Sequence, residues 1–380
     1  MSFNVNLKEF KNLLQKVYPI VPIRTPYNVL LNFKFIIENK QLKVYATDID
    51  TSIVAKINID SDENQKFAVN AKKLYDWITI YNGEENQNII IDVNNSSIVF
   101  SRGKSKSNFA CVDVNDYPEF QILNKDKYYE FSAEKIKYIS GKVCKFSASD
   151  AGRNRGALEG VFFDCSKERL IAVATDANKL SIVSFNDSFG FEGNVREIIP
   201  TKPINEVSRI VETFNYESVK FSFFNDSILF FSDDFELVTK LVEGQYPDYE
   251  RVIPKEYNKS FIVERQEFIN ALKITATVTD KTNNLTKFYL EKNELRLHSE
   301  DINTNSKSDE FLDVDYSYEQ SFVIGFNVIF LIEILSAIDT QKVKFEFVSN
   351  SSVALIRPVY SEDEEKKNIL FLLTPLRINE

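Results

Sequence analysis

Apolar residues along this chain follow two periods, and the order in which the periods alternate recurs three times. A short run alternating at every second residue passes directly into a run with apolar positions at i, i+3, i+4 and i+7. This happens in FNVNLKEFKNLLQKV from Phe3, YEFSAEKIKYISGKV from Tyr129 and SFIVERQEFINALKI from Ser260. The first period predicts a half-buried strand and the second an amphipathic helix. A second strand-to-helix passage lies in the middle of each unit: KFAVNAKKLYDWI at Lys66, REIIPTKPINEVSRI at Arg196 and SFVIGFNVIFLIEIL at Ser321. The stretches between alternate around turn signals such as NNSS at Asn94 and FNDS at Phe224, and read as strands. Helices are thus predicted over 7–17, 71–81, 133–145, 202–213, 265–279 and 327–338.

Two further landmarks keep the same spacing. YATDID (Tyr45–Asp50) and VATDANKL (Val173–Leu180) place Asp48 and Asp176 128 positions apart, and LRLHSEDINT places Asp301 another 125 along. Pro118, Pro247 and Pro375 close DYP, QYP and LTP, each after a run with strand character. Landmarks held in register across two periods mark a threefold repeat, each unit itself roughly doubled. The predicted class is α+β, with three tandem domains at 1–126, 127–256 and 257–380. Like domains joined head to tail close a ring when the rotation between them divides a full turn.

At 380 residues the chain exceeds one ordinary core. Cys111, Cys144 and Cys165 show no CxxC spacing, which argues for a reducing compartment and against a disulfide framework or zinc site. The N-terminus carries no signal-peptide pattern. The most apolar stretch, FVIGFNVIFLIEIL (322–335), is too short to span a bilayer and contains Glu333, so it reads as a buried helix in a cytoplasmic protein. An enzyme finds little support. His298 is the lone histidine, and no Gly-rich phosphate loop occurs. The pairs Asp233-Asp234 and Glu364-Glu365 sit in polar stretches that read as solvated turns. No catalytic residue, metal or cofactor is expected.

Net charge is −10, which by itself argues against nucleic acid. The predicted helices, however, sum to +6, leaving −16 for the rest. Such segregation suits weak, sequence-independent contact with phosphates. It is equally the look of lysines on solvated helix faces.

The run TKLVEGQYPDYERVIP (Thr239–Pro254), with ATD at Ala174, IGFN at Ile324 and TPLR at Thr374, resembles the signature of the bacterial DNA polymerase III β subunit, the replication sliding clamp. The resemblance extends over the whole chain. It implies a head-to-tail homodimer of three-domain protomers, a six-domain ring with helices lining the hole, enclosing double-stranded DNA without catalysis. Implied partners are the replicative polymerase α subunit, the clamp loader, and other polymerases and repair proteins. All would bind by a short motif in a pocket between the second and third domains. By position, the apolar floor would be Leu158, Thr175, Leu180, Pro247, Val252, Leu372, Leu373, Pro375 and Leu376. Asn178, Lys179, Arg251, Asn327, Phe330, Ser352, Thr374 and Arg377 would frame it. DNA contacts would fall to Arg24, Lys72, Lys73, Arg153, Arg155 and Lys202, and the dimer interface to Phe109 with Thr277 and Val278.

Departures are visible. The family's Gly-His-Arg-Leu after ATD is here Ala177-Asn178-Lys179-Leu180, and Thr374 stands where the family has Met. Both predict an altered peptide preference. A scaffold on the same ring, working without DNA, is the alternative reading.

Overall fold

The computed structural model describes residues 2–81, 87–94, 97–121, 123–148, 156–187, 189–191, 193–362 and 367–378. One order of elements, strand, helix, three strands, strand, helix, three strands, occurs three times. The first repeat is β1 (Ser2–Asn6), α1 (Leu7–Val17), β2 (Asn32–Glu38), β3 (Gln41–Thr47), β4 (Thr51–Asn58), β5 (Gln65–Asn70), α2 (Ala71–Thr79), β6 (Asn88–Val93), β7 (Ser97–Arg102) and β8 (Ser105–Val112). The second is β9 (Tyr129–Ser132), α3 (Ala133–Lys142), β10 (Gly160–Ser166), β11 (Arg169–Thr175), β12 (Lys179–Phe185), β13 (Val195–Pro200), α4 (Thr201–Thr213), β14 (Ser218–Phe223), β15 (Ser227–Phe231) and β16 (Phe235–Lys240). The third is β17 (Lys259–Glu264), α5 (Arg265–Ala276), β18 (Leu285–Glu291), β19 (Glu294–Asp301), β20 (Ser306–Asp313), β21 (Phe322–Asn327), α6 (Val328–Ala337), β22 (Lys342–Phe347), β23 (Ala354–Val359) and β24 (Asn368–Leu373).

The abrupt strand-to-helix passages have a local cause. Asn6, Asn70 and Asn327 each end a strand, and their side chains accept N–H bonds from the first turn of α1, α2 and α6. An extended residue whose side chain caps the next turn serves both elements at once. Four helices end earlier than their periodicity predicts, at Thr79, Lys142, Ala276 and Ala337. After α3 the backbone tightens into a 3-10 turn, Cys144–Phe146, and after α5 Thr277 is the C-cap. The apolar stretch 322–335 is not one helix: it changes from β21 to α6 at Asn327. Among the described residues no helix is long and apolar enough to cross a membrane.

The chain forms two compact units. One comprises Met1–Lys137 with Lys202–Leu241, the other Tyr138–Thr201 with Val242–Glu380. The first unit holds a twelve-stranded sheet in the order β1-β6-β7-β8-β5-β2-β3-β4-β16-β15-β14-β9. Its link between repeats is the antiparallel pair β4–β16, with Thr51 opposite Thr239. Phe10 of α1 is fully buried and packs on Phe35 and Phe100 at 6.4 and 5.6 Å between centroids. Lys16 is buried too, its ammonium on Asp234 and on the Tyr216 hydroxyl.

The second unit holds an eight-stranded sheet, β13-β10-β11-β12-β24-β23-β22-β17, and a four-stranded one, β20-β19-β18-β21. The equivalent link is β12–β24, with Lys179 opposite Leu373 and Leu180 opposite Leu372. Phe261 stacks on Phe345 at 4.8 Å in this core, and α5 packs on α6. The C-terminal segment after β24 returns to β21, where the Leu376 N–H donates to the Gly325 carbonyl at 2.8 Å. A Cβ on Gly325 would lie 2.7 Å from Leu285 Cδ1 and 3.1 Å from Ile378 Cγ1, so a larger residue there would make both side chains shift.

Candidate functional site

The ATD triplet builds a turn. Thr175 ends β11, and its hydroxyl donates to the Lys179 carbonyl at 2.7 Å while accepting the Ala177 N–H at 3.1 Å. The Asp176 carboxylate accepts the N–H groups of Asn178 and Lys179 at 2.8 and 2.9 Å. These bonds hold Ala177 at φ +77°, a left-handed conformation that a residue with a Cβ adopts at a cost. The first repeat makes the same turn. Thr47 bonds Thr51 and Ile49, Asp48 accepts the Thr51 N–H at 2.8 Å, and Ile49 stands at φ +88°. The third repeat does not share it: there Asp301 ends β19 and the hairpin turns through Asn305 at φ +50°.

In the second unit this turn forms the rim of an apolar groove of about 250 Å³. Leu158, Thr175, Asn178, Lys179, Leu180, Pro247, Val252, Leu372 and Thr374, all expected from the sequence, line it together. So do Ala177, Tyr246, Asp248, Tyr249 and Val353, which the positional reading left out. Leu180 and Leu372 meet across the β12–β24 pair, and the Thr374 N–H donates to the Asn178 carbonyl at 2.9 Å, joining the rim to the chain beyond β24. Tyr246 stacks on Phe162 at 4.8 Å. Burial and the nearby Asp164 carboxylate push the Tyr249 hydroxyl up to about 12, so it is a neutral donor, 3.5 Å from Asp164. Val252 remains 48% exposed at the mouth.

The other expected framing residues lie beside the groove rather than in its lining. Arg251 is exposed and pairs with Asp248 at 2.8 Å. Asn327 caps α6, and the Phe330 ring lies 5.4 Å from the Lys179 ammonium. Ser352 closes a serine turn next to Val353 by accepting the Ser349 N–H at 2.8 Å. Leu373, on the opposite face of β24 from Leu372, is fully buried. Pro375 and Leu376 are half-buried, and Arg377 is exposed.

The corresponding place in the first unit carries different side chains. Opposite each other on β4 and β16, Thr51 and Thr239 share a buried hydroxyl bond of 3.1 Å. Lys202 pairs with Asp48 and Lys240 with Asp50, at 2.6 and 2.9 Å. Phe120 and Leu123 pack over Leu229, Phe231 and Val238. Repeat symmetry brings a similar framework to both places, and the side chains on it differ.

Among the residues expected at DNA, Arg24 lies in an exposed loop between Ile23, 95% exposed, and Tyr27, 57% exposed. Lys72 pairs with Asp76 one helical turn on, Lys73 is exposed, and Lys202 pairs with Asp48. Arg153 and Arg155 lie outside the described residues. The positive charge counted on the helices is therefore partly neutralised from elsewhere: Asp234 reaches Lys16, Asp339 reaches Lys142, and Asp48 reaches Lys202. Phe109 on β8 packs edge-on against Trp77 and Phe100, Thr277 is exposed, and Val278 is half-buried. Among the described residues no cluster of metal-ligating side chains occurs.

Comparison with known proteins covers nearly the whole chain. Residues 1–121, 133–248 and 250–370 match the N-terminal, central and C-terminal domains of the DNA polymerase III beta subunit. The beta sliding clamp of Pseudomonas putida is 25% identical over 380 residues, covering all of both chains. The crystal structure of the DNA polymerase III subunit beta from Pseudomonas aeruginosa superposes with a TM-score of 0.90 at 24% identity over 100% of each chain. That of the beta subunit from Thermotoga maritima gives 0.89 at 21%, again over 100% of each.

Proposed function

The chain belongs to the DNA polymerase III beta subunit family, and we infer that it works as the family does. It is a non-catalytic processivity factor of DNA replication, a sliding clamp that encircles duplex DNA and tethers the polymerase. The domain limits proposed are 1–126, 127–256 and 257–380, set just ahead of β9 and β17.

One observation supports the ring more than any other. Each repeat has two halves, ending in β4 and β8, β12 and β16, or β20 and β24. The last strand of a first half pairs with the last strand of the next repeat's second half, as β4–β16 and β12–β24. This leaves β20, the edge of its four-stranded sheet, and β8, which meets β5 only at Val112 and Cys111. Applied between protomers, the same rule joins β20 of one copy to β8 of the next. Such an interface is heterologous, and two copies that close it form a six-domain ring rather than a filament. Phe109, Thr277 and Val278 are the residues proposed there.

A ring holds its DNA by enclosure, so its contacts need be neither tight nor specific. Arg24, Lys72, Lys73, Arg153, Arg155 and Lys202 are proposed to make them. A cytoplasmic location, with the polymerase α subunit, the clamp loader and further polymerases and repair proteins as partners, completes the reading. These partners would insert apolar side chains of a short extended motif into the groove beside Leu180 and Leu372. Two measurements test it together. Solution mass should be near twice 43.9 kDa, and addition of the protein with a clamp loader should lengthen the products of a cognate polymerase on primed DNA. A monomer at every concentration, or products of unchanged length, would reject it.

A further inference from the structure

Lys179 is a cation in the wall of an apolar groove, yet its side chain is only 6% exposed. Its ammonium donates to the Glu333 carboxylate and lies 3.5 Å from the Lys145 carbonyl. The rings of Phe146 and Phe330 stand 5.3 and 5.4 Å away. Glu333 is the sole charged residue of α6 and is 43% exposed. Of the other charges nearby, Lys142 is tied to Asp339 at 2.5 Å, and Lys145 lies over the Phe146 ring at 5.8 Å. A buried charge that loses its partner is strongly disfavoured and recruits whatever counter-charge comes within reach. A carboxylate brought into the groove is such a counter-charge, because Lys179 belongs to the lining.

We propose that Glu333 is a specificity-determining residue for the groove, acting through Lys179. By neutralising that ammonium from the α6 side, Glu333 leaves the groove to select partners by apolar anchors and makes it indifferent to an anionic group on the partner. The inference rests on the reading of the groove as a peptide site. It adds a charge filter supplied by a helix residue outside the groove lining.

The test compares two forms of one N-acetylated peptide ending in Leu-Phe, with a free C-terminal carboxylate or a C-terminal amide. Each is titrated into the full-length wild-type protein, Glu333→Gln and Lys179→Met, with thermal unfolding run alongside. Wild type should bind both forms within about twofold. Glu333→Gln should favour the carboxylate form by about tenfold, an advantage that shrinks as salt is added. Lys179→Met leaves the Glu333 carboxylate unpaired and should favour the amide form, an opposite sign that still reads out if the first variant folds poorly. Equal binding of the two forms by both folded variants overturns the charge filter while leaving the groove intact. A wild type that already prefers the carboxylate tenfold overturns it as well. Failure of the wild type to bind either form overturns the peptide groove and this inference together.

Discussion

At the scale of single residues, Ala177 holds the most information. It lines the groove with a methyl group at φ +77°, fixed by Thr175 and Asp176. The left-handed conformation costs a residue with a Cβ about 1–2 kcal/mol. Ala177→Gly should therefore raise stability, by about 0.5 kcal/mol after glycine's larger unfolded-state entropy is set against the strain removed. Chemical denaturation checks the sign, and a fall of more than about 1 kcal/mol would mean that the methyl packs usefully. The sequence marked this place only as a landmark of the repeat; the structure shows why, since Thr175 and Asp176 are side chains that bond their own backbone in a turn. The sequence did not announce that Ala177, Tyr246 and Tyr249 line the groove. Tyr246 and Tyr249 lie in a connection whose only regular piece is a short 3-10 turn, Tyr249–Val252, so no period says which way a ring faces, and a small residue in a turn gives no hydrophobic signal.

Among the elements, the recurring strand-to-helix passages were legible because a period of two gives way to a helical period at each of them. The helix ends were less so. Helix periodicity continues past Lys142 in the side chains, while the backbone tightens into a 3-10 turn that period alone cannot separate from a helix. The link strands β4–β16 and β12–β24 were not legible, because pairing between residues 188 or 192 positions apart leaves no local trace (Thr51 with Thr239, Leu180 with Leu372). The β19–β20 hairpin carries a prediction of its own. Asp309 is held below the usual carboxylate range by the hydrogen bond from Arg296, with His298 a further partner at 3.0 Å. Glu300 is lowered as well, chiefly by Lys287. A depressed folded-state value means that the stabilisation is complete above the ordinary carboxylate range and is lost as pH falls through the lowered value. Hydrogen-exchange protection in β20 should thus decline on the acid side, and Asp309→Asn should flatten that decline without abolishing it, since Glu300 remains. An unchanged acid limb in the variant would contradict the assignment.

For the whole molecule, the threefold repeat was legible, and the charge distribution only in part. Counting lysines on helices could not foresee that Asp48, Asp234 and Asp339 come from other elements to neutralise Lys202, Lys16 and Lys142. The ring account tolerates this, because a closed ring needs no strong attraction to stay on its DNA, whereas a protein held by phosphate contacts does. The measurement that separates the two is retention on circular duplex DNA after loading, compared with the same DNA cut once, in salt high enough to screen phosphate contacts. The account predicts that the protein stays on the circle and is lost from the linear form through its free ends. Equal retention on both, or equal loss from both, would contradict enclosure.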